Sequence, residues 1–158
     1  MNKFLLKRKT LLLISSSVFL IDQLSKSSAI HLLSDRYFFP LVPQIIHFRL
    51  VRNTGAAFSL FNNATPFLSL LSLCASLGLI AWIYKSKPLP LLKGLGISFL
   101  LGGCIGNGMD RLRLGYVHDF IELVPINFPI FNLADIAINI AVICLLIESF
   151  SKRKIQSS

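Results

Sequence analysis

The segment PFLSLLSLCASLGLIAWIY, from Pro66 to Tyr84, contains 19 residues and no charged side chain. A chain needs a helix of about 20 mostly apolar residues to cross a lipid bilayer. Thr65 suits the N-cap of such a helix and Pro66 its first position. Trp82 and Tyr84 are typical of the interface between membrane and water. The segment therefore predicts a transmembrane helix, and it decides the class of fold.

The rest of the chain has the same apolar character. Of its 158 residues, 54% are hydrophobic and 15% are charged, which is far from the balance of a soluble domain. We interpret residues 1–158 as one membrane-embedded domain whose spans lie at about 10–30, 66–84, 89–109 and 128–147. The first span also resembles a cleaved signal peptide, because its start is basic and its end has small residues. A span is favoured, since Asp22 and Lys26 would lie between the apolar centre and any cut.

Basic residues indicate how the spans are oriented. Ten of the 16 Lys and Arg residues fall in three short segments. With four spans these segments share one side, which the positive-inside rule identifies as the cytoplasm. Both termini are then inside, and the segments at about 31–65 and 110–127 face outward. The net charge of +9 leaves no basic stripe with interleaved aromatics, so nucleic acid is not expected as a partner. The basic segments are Lys3 to Lys9, Lys85 to Lys93, and Lys152 to Lys154.

The two outward segments contain signals for structure other than helix. Gln44 to Asn53, QIIHFRLVRN, partly alternates between apolar and polar residues, which predicts a short strand. Pro125 and Pro129 make a continuous helix through the second segment unfavourable. The chain can therefore reverse its direction before the last span.

Polar side chains inside the spans are candidates for function, because they are costly in lipid. At a rise of about 1.5 Å per residue, Asp22 and Asp135 each lie roughly 18 Å from the cytoplasmic end of their helix. By the same rise, Asn107 lies roughly 20 Å and Arg111 roughly 26 Å along the third span. Three spans are thus expected to bring polar groups to one level in the outer half of the membrane.

Asp119 and Asp135 form a candidate catalytic pair. They would lie roughly 24 Å apart on one straight helix, so they can meet only if the chain reverses between them. Two facing carboxylates tend to share one proton. One can then activate a water while the other polarises a scissile carbonyl, with no cofactor and no metal. A proton-coupled transporter that uses Asp22 and Asp135 fits the spacing equally well.

The remaining titratable residues offer no competing site. His31, His47 and His118 lack the spacing of a metal-binding motif, so no metal is expected. Asp110 and Glu122 are predicted to be solvated or interfacial charges.

Four ordered motifs together resemble the lipoprotein signal peptidases, the type II signal peptidases of bacteria. The match extends over most of the chain. The motifs are DQLSK from Asp22, RNTGAAFS from Arg52, GGCIGNGMDRLRLGYVHDFIEL from Gly102, and FNLADIAINIA from Phe131.

The resemblance implies a mainly α membrane protein with four transmembrane helices and a small β platform, around 44–59, on the outer membrane surface. It implies that Asp119 and Asp135 are the catalytic aspartates of an endopeptidase in the bacterial inner membrane, acting near the outer leaflet. The expected substrates are prolipoproteins, cut on the amino side of a cysteine that carries diacylglycerol. Membrane lipids are further partners, and a monomer is expected. The supporting polar residues of the family match Asp22, Asn53, Asn107, Arg111 and Asn132.

Three residues depart from the usual pattern of that family. Cys104 stands where alanine is general, Gly108 where a larger apolar residue is general, and Ile136 where a small polar residue is common. None of them removes a catalytic group. They bear on the shape of the pocket rather than on the type of reaction.

Overall fold

Four long helices dominate the protein. The computed structural model describes residues 4–55, 64–126 and 128–156. Three of the helices, over Thr65–Lys85, Leu91–Leu114 and Leu133–Ser151, are long and apolar enough to cross a membrane. The first helix has 25 residues, enough for about 37 Å, but it carries buried charges. The predicted mainly α class is confirmed. The helices are α1 (Arg8–Leu32), α2 (Thr65–Lys85), α3 (Leu91–Leu114) and α4 (Leu133–Gln156).

Helix α3 is the centre of the bundle, and the other three helices pack around it. Glycines allow this close approach. A Cβ on Gly102 would lie 2.7 Å from the backbone oxygen of Ser15 in α1, and a Cβ on Gly103 would lie 2.8 Å from that of Ala134 in α4. Small residues on membrane helices commonly permit such packing. The glycines therefore fix the separation of the helices that carry the polar side chains.

Two helices differ in extent from the sequence prediction. Helix α3 continues to Leu114 instead of ending near Met109. Gly115 ends the helix in the left-handed conformation, with a φ of 80°, and its backbone N–H donates a 3.0 Å hydrogen bond to the oxygen of Arg111. Helix α4 begins at Leu133 instead of Phe128. The preceding residues are extended, because the backbone of Phe131 pairs with the neighbouring sheet instead of turning into a helix.

Two small antiparallel sheets lie at opposite ends of the bundle. One pairs β1 (Leu5–Leu6) with β4 (Leu89–Pro90). The other has the strand order β2-β3-β5 and lies where α1 and α3 end and where α2 and α4 begin. Its central strand confirms the strand predicted within 44–53, whereas residues 56–59 of the predicted platform lie outside the described residues. The strands are β2 (Phe39–Val42), β3 (Ile46–Asn53) and β5 (Val117–Leu123).

Candidate active site

Asp119 lies in strand β5, and its carboxylate is held by two side-chain amides. Asn53, near the end of the neighbouring strand β3, donates its Nδ2 to Asp119 Oδ2 at 2.9 Å. Asn132, just before α4, donates its Nδ2 to Asp119 Oδ1 at 2.6 Å. The carboxylate is almost fully buried. The end of the sheet and the start of the last helix therefore fix Asp119 from two directions.

Asp135 lies in the first turn of α4 and forms a reciprocal cap with Asn132. The Asn132 side-chain oxygen accepts the Asp135 backbone N–H at 3.0 Å, and Asp135 Oδ2 accepts the Asn132 backbone N–H at 3.1 Å. This is the arrangement of a capping box, and a carboxylate in the first turn also suits the helix dipole. Asp135 therefore lies at the start of its helix, whereas the sequence prediction placed it well inside the span.

Asn107 of α3 holds the other oxygen of Asp135. Its Nδ2 donates to Asp135 Oδ1 at 2.8 Å, and its own Oδ1 accepts from Asn132 Nδ2 at 3.1 Å. Both carboxylates thus contact Asn132, and each has a further amide of its own. The predicted meeting of these groups near one end of the bundle is present in the structure.

Burial and the charge of Asp135 raise the pKa of Asp119 to about 6, although hydrogen bonds from Asn53 and Asn132 act in the opposite direction. The pKa of the neighbouring His118 is lowered because burial removes the ring from water. A carboxyl group with a pKa near 6 exchanges its proton close to neutral pH. The pair can therefore hold one proton under conditions where isolated aspartates hold none.

A second polar cluster lies directly behind the pair and is centred on Lys26. The Lys26 ammonium is 2.8 Å from Asp22 Oδ2 and 2.8 Å from Asp110 Oδ2. Gln23 donates to the other Asp110 oxygen at 3.1 Å. Sequence reasoning missed Lys26 and Gln23 as site residues. The i, i+4 spacing of Asp22 and Lys26 was the available signal, since it places both on one face of α1.

The prediction that Asp110 is solvated is wrong. Its side chain is buried, at 5% exposure. Because α3 continues past Met109, Asp110 remains on a helix and faces α1. Glu122 agrees better with the prediction of a solvated or interfacial charge. Its side chain is half-buried, and its Oε1 lies 3.2 Å from Arg49 Nη2.

Asp22 links the first helix to the last. Its Oδ1 accepts the backbone N–H of Ala134 at 2.9 Å, which satisfies one of the free donors at the start of α4. Gly106 makes room for this contact, because a Cβ there would lie 2.5 Å from Asp22 Oδ2. Both Asp22 oxygens are therefore occupied by α4 and Lys26. This is unlike the open proton site that the transporter hypothesis requires.

Arg111 contacts the backbone just after strand β3. Its Nη2 donates to the oxygen of Gly55 at 2.7 Å, close to Asn53 in the chain. Its Nε is buried and has no hydrogen-bond partner among the described residues. Its charge nevertheless lies near enough to interact with Asp119 and Asp135.

Two cavities in the described parts of the chain are lined by residues other than Asp119 and Asp135. One, of about 480 Å³, opens beside Arg49, Glu122 and Phe128. The other, of about 370 Å³, is an apolar groove between α1 and α4. Ile136 lines this groove, and Gly108 lies where α2 packs closely on α3, so two of the three departures from the family pattern affect packing surfaces. The convergent polar side chains, not these cavities, define the candidate site.

The family model for signal peptidase (SPase) II matches residues 14–151, which is most of the chain. The chain belongs to the signal peptidase II family. Membership makes it a protease that removes signal peptides from lipoproteins, with prolipoproteins as substrates. The family and the apolar helices together indicate a multi-pass protein of the bacterial inner membrane.

Two relatives carry the name of this family, and a solved structure of a membrane enzyme has a similar fold. A lipoprotein signal peptidase of Parasynechococcus marenigrum (strain WH8102) is 49% identical over 153 residues, covering 97% of this chain and 96% of the relative. One from Synechococcus sp. (strain RCC307) is 45% identical, covering 93% and 98%. A bacterial membrane enzyme structure determined by the in meso method at 2.3 Å resolution has a TM-score of 0.84 and 29% identity, covering 97% of this chain and 94% of that chain. The similarity to these proteins therefore covers nearly the whole chain.

Proposed function

We propose that this chain is an aspartic endopeptidase that cleaves diacylglyceryl-modified prolipoproteins on the amino side of the modified cysteine. Asp119 and Asp135 are its catalytic pair. The observation that carries the proposal is the shared contact with Asn132, which brings a carboxylate of the sheet and a carboxylate of the last helix to one place. A pair held in this way can keep one proton between its members.

The two acids differ in the groups that surround them. The start of α4 favours a negative charge on Asp135, through the helix dipole and the N–H of Asn132. Asp119 lies in a strand, and its pKa of about 6 is raised mainly by burial. We therefore assign the shared proton to Asp119 and the role of base to Asp135.

The reaction then needs no covalent bond between enzyme and substrate. Asp135 takes a proton from a water molecule as the water oxygen attacks the scissile carbonyl carbon, while Asp119 transfers its proton to the carbonyl oxygen, which gives a gem-diol. In the resulting tetrahedral intermediate, Asp135 returns a proton to the leaving nitrogen as the C–N bond breaks. The diol proton passes to Asp119, so the starting protonation state is restored.

The position of the pair suits a substrate that is anchored by lipid. With both termini in the cytoplasm, the start of α4 and the sheet lie at the outer end of the bundle. The acyl chains of the modified cysteine can remain in the outer leaflet while the peptide bond beside that cysteine reaches Asp119 and Asp135. The enzyme is proposed to act as a monomer, because both acids come from one chain.

Cleavage by purified variants tests the assignment. Asp119→Asn and Asp135→Asn are each expected to abolish cleavage of a diacylglyceryl-modified prolipoprotein while inserting normally into the membrane. Glu122→Gln, in the same strand as Asp119, serves as the control and should cleave at the wild-type rate. Full cleavage by either aspartate variant would disprove the catalytic pair. Mass spectrometry of the products identifies the bond that is cut.

A further inference from the structure

The side-chain amide of Asn107 has a fixed orientation. An asparagine amide has one accepting oxygen and one donating nitrogen, which exchange places when the group rotates by half a turn. Here Oδ1 accepts from Lys26 Nζ at 3.0 Å and from Asn132 Nδ2 at 3.1 Å, while Nδ2 donates to Asp135 Oδ1 at 2.8 Å. The opposite orientation would turn donors toward an ammonium group and an oxygen toward a carboxylate.

Three polar groups surround the ammonium group of Lys26. Its ammonium group has three hydrogens, and three acceptors surround it: Asp22, Asp110 and Asn107. The Lys26 side chain is 4% exposed, so bulk water has little access to these hydrogens. The contact with Asp110 Oδ2 is short but has poor angles for a hydrogen bond, so its attraction is mainly electrostatic. The other oxygens of both acids are held by Ala134 and Gln23.

Building on the proposed function, we propose that Lys26 is a positioning residue for the catalytic pair. It acts through Asn107, whose amide it holds in the one orientation that donates to Asp135. Lys26 does not contact the reacting atoms. Its loss should therefore reduce kcat far more than it changes KM, because an incorrectly oriented Asn107 misplaces the base without altering the surface that binds the substrate.

Removal of Lys26 alone would leave two buried carboxylates without a cation, so the informative variant balances the charge. In Lys26→Met/Asp110→Asn, the ion pair between Lys26 and Asp110 is replaced by neutral side chains, and Asp22 keeps its hydrogen bonds from Ala134 and Gln23. We expect its kcat to fall at least about tenfold, and its KM to stay within about twofold. Lys87→Met, on the exposed inner loop, is the matched control and should match wild type.

A double-mutant cycle tests whether Lys26 acts through Asn107. If it does, adding the charge-balanced change to Asn107→Ala should lower kcat by less than about threefold beyond Asn107→Ala alone. Full kcat in the charge-balanced variant, or effects that multiply, would overturn the proposal. Thermal unfolding of each variant distinguishes positioning from loss of fold.

Asn107→Asp provides a second route if the charge-balanced variant does not insert. It keeps an oxygen for Lys26 but replaces the amide donor with a carboxyl group that repels Asp135 or shares its proton, so kcat should fall. Wild-type kcat in this variant would contradict the proposal. Asp119→Asn is measured in the same assay: if it cleaves, the catalytic pair fails whatever the Lys26 variants show.

Discussion

The side-chain amide of Asn132 donates a 2.6 Å hydrogen bond to Asp119 and so joins the cap of α4 to strand β5. The same residue accepts the backbone N–H of Asp135. One side chain thus stabilises a helix and orients a carboxylate of a different element. These two roles use different atoms, and substitutions can separate them.

Asn132→Ser should retain stability and lose activity. Serine is a good N-cap residue, but it has no amide to donate to Asp119. Asn132→Ala should lose activity as well, and it should also lower the free energy of unfolding by about 1 kcal/mol, because the cap is gone. Thermal unfolding in detergent and single-turnover cleavage measure the two effects. Wild-type cleavage by Asn132→Ser would refute the orienting role.

The pH dependence of cleavage should reflect Asp119. We expect kcat/KM to fall on the alkaline side with a midpoint near pH 6, because the pKa of Asp119 is about 6 and the pair needs one proton. The hydrogen bond from Asn53 lowers this pKa, so Asn53→Ala should move the midpoint to higher pH. Asn139→Ala removes an exposed amide that donates to the backbone oxygen of Asp135 and not to its carboxylate, and should leave the midpoint unchanged. A downward shift in Asn53→Ala would contradict the assignment.

Asp119→Asn should change how stability depends on pH. The pKa of Asp119 is raised in the folded state, so folded wild type gains a proton before the unfolded chain as the pH falls through 6, and its stability increases. The variant lacks this titration. Its stability relative to wild type should therefore be greatest above pH 6 and should decrease toward the usual aspartate pKa of 3.8. Unfolding measured from pH 4 to 8 gives this difference, and a relative stability independent of pH would exclude the raised pKa.

Gly106→Ala should disturb the contact between the first and last helices. The new methyl group would lie 2.5 Å from Asp22 Oδ2, so Asp22 must move away from Ala134. We expect a loss of about 1–3 kcal/mol in the free energy of unfolding, as in other overpacked sites, together with slower cleavage. Gly78→Ala is the matched control, because a Cβ there meets nothing within 4 Å. Equal stability of the two variants would show that the close approach is unimportant.

Labelling of single cysteines tests the orientation in the membrane. In a protein whose three cysteines are replaced by alanine, Ser34→Cys lies in the first outward segment and Lys87→Cys in the inner loop. A membrane-impermeant maleimide added to spheroplasts should label the first variant, and it should label the second only after permeabilisation. The reverse pattern would place the site on the cytoplasmic side.

Much of the site followed from simple helical geometry. The rise per residue brought Asp22, Asn107 and Asp135 to one level without knowledge of their contacts. The exposure of Asp110 was predicted incorrectly, because its burial depends on where α3 ends, and the αL residue Gly115 decides this. Asn132 and Asp135 have the spacing of a capping box, so the true start of α4 was readable in the sequence but was overlooked.

Other relationships were not accessible from the sequence. Val51 lies opposite Asp119 in the sheet, and this register follows an irregularity between Phe48 and Val51 that no local pattern reveals. The burial of Lys26 depends on Asp110, which lies on a different helix and far along the chain. Pairings of this kind are set by the packing of whole helices on α3.

The bond from Ala134 to Asp22 has a consequence for synthesis. The ribosome makes Asp22 with the first helix and Asp135 with the last, so a nascent chain that lacks α4 has neither a complete acid pair nor the partner that Asp22 holds. If Asp119 and Asp135 are the catalytic pair, hydrolytic capacity arises only when the final helix has joined the others in the bilayer. Proteolysis is thereby withheld from every shorter intermediate.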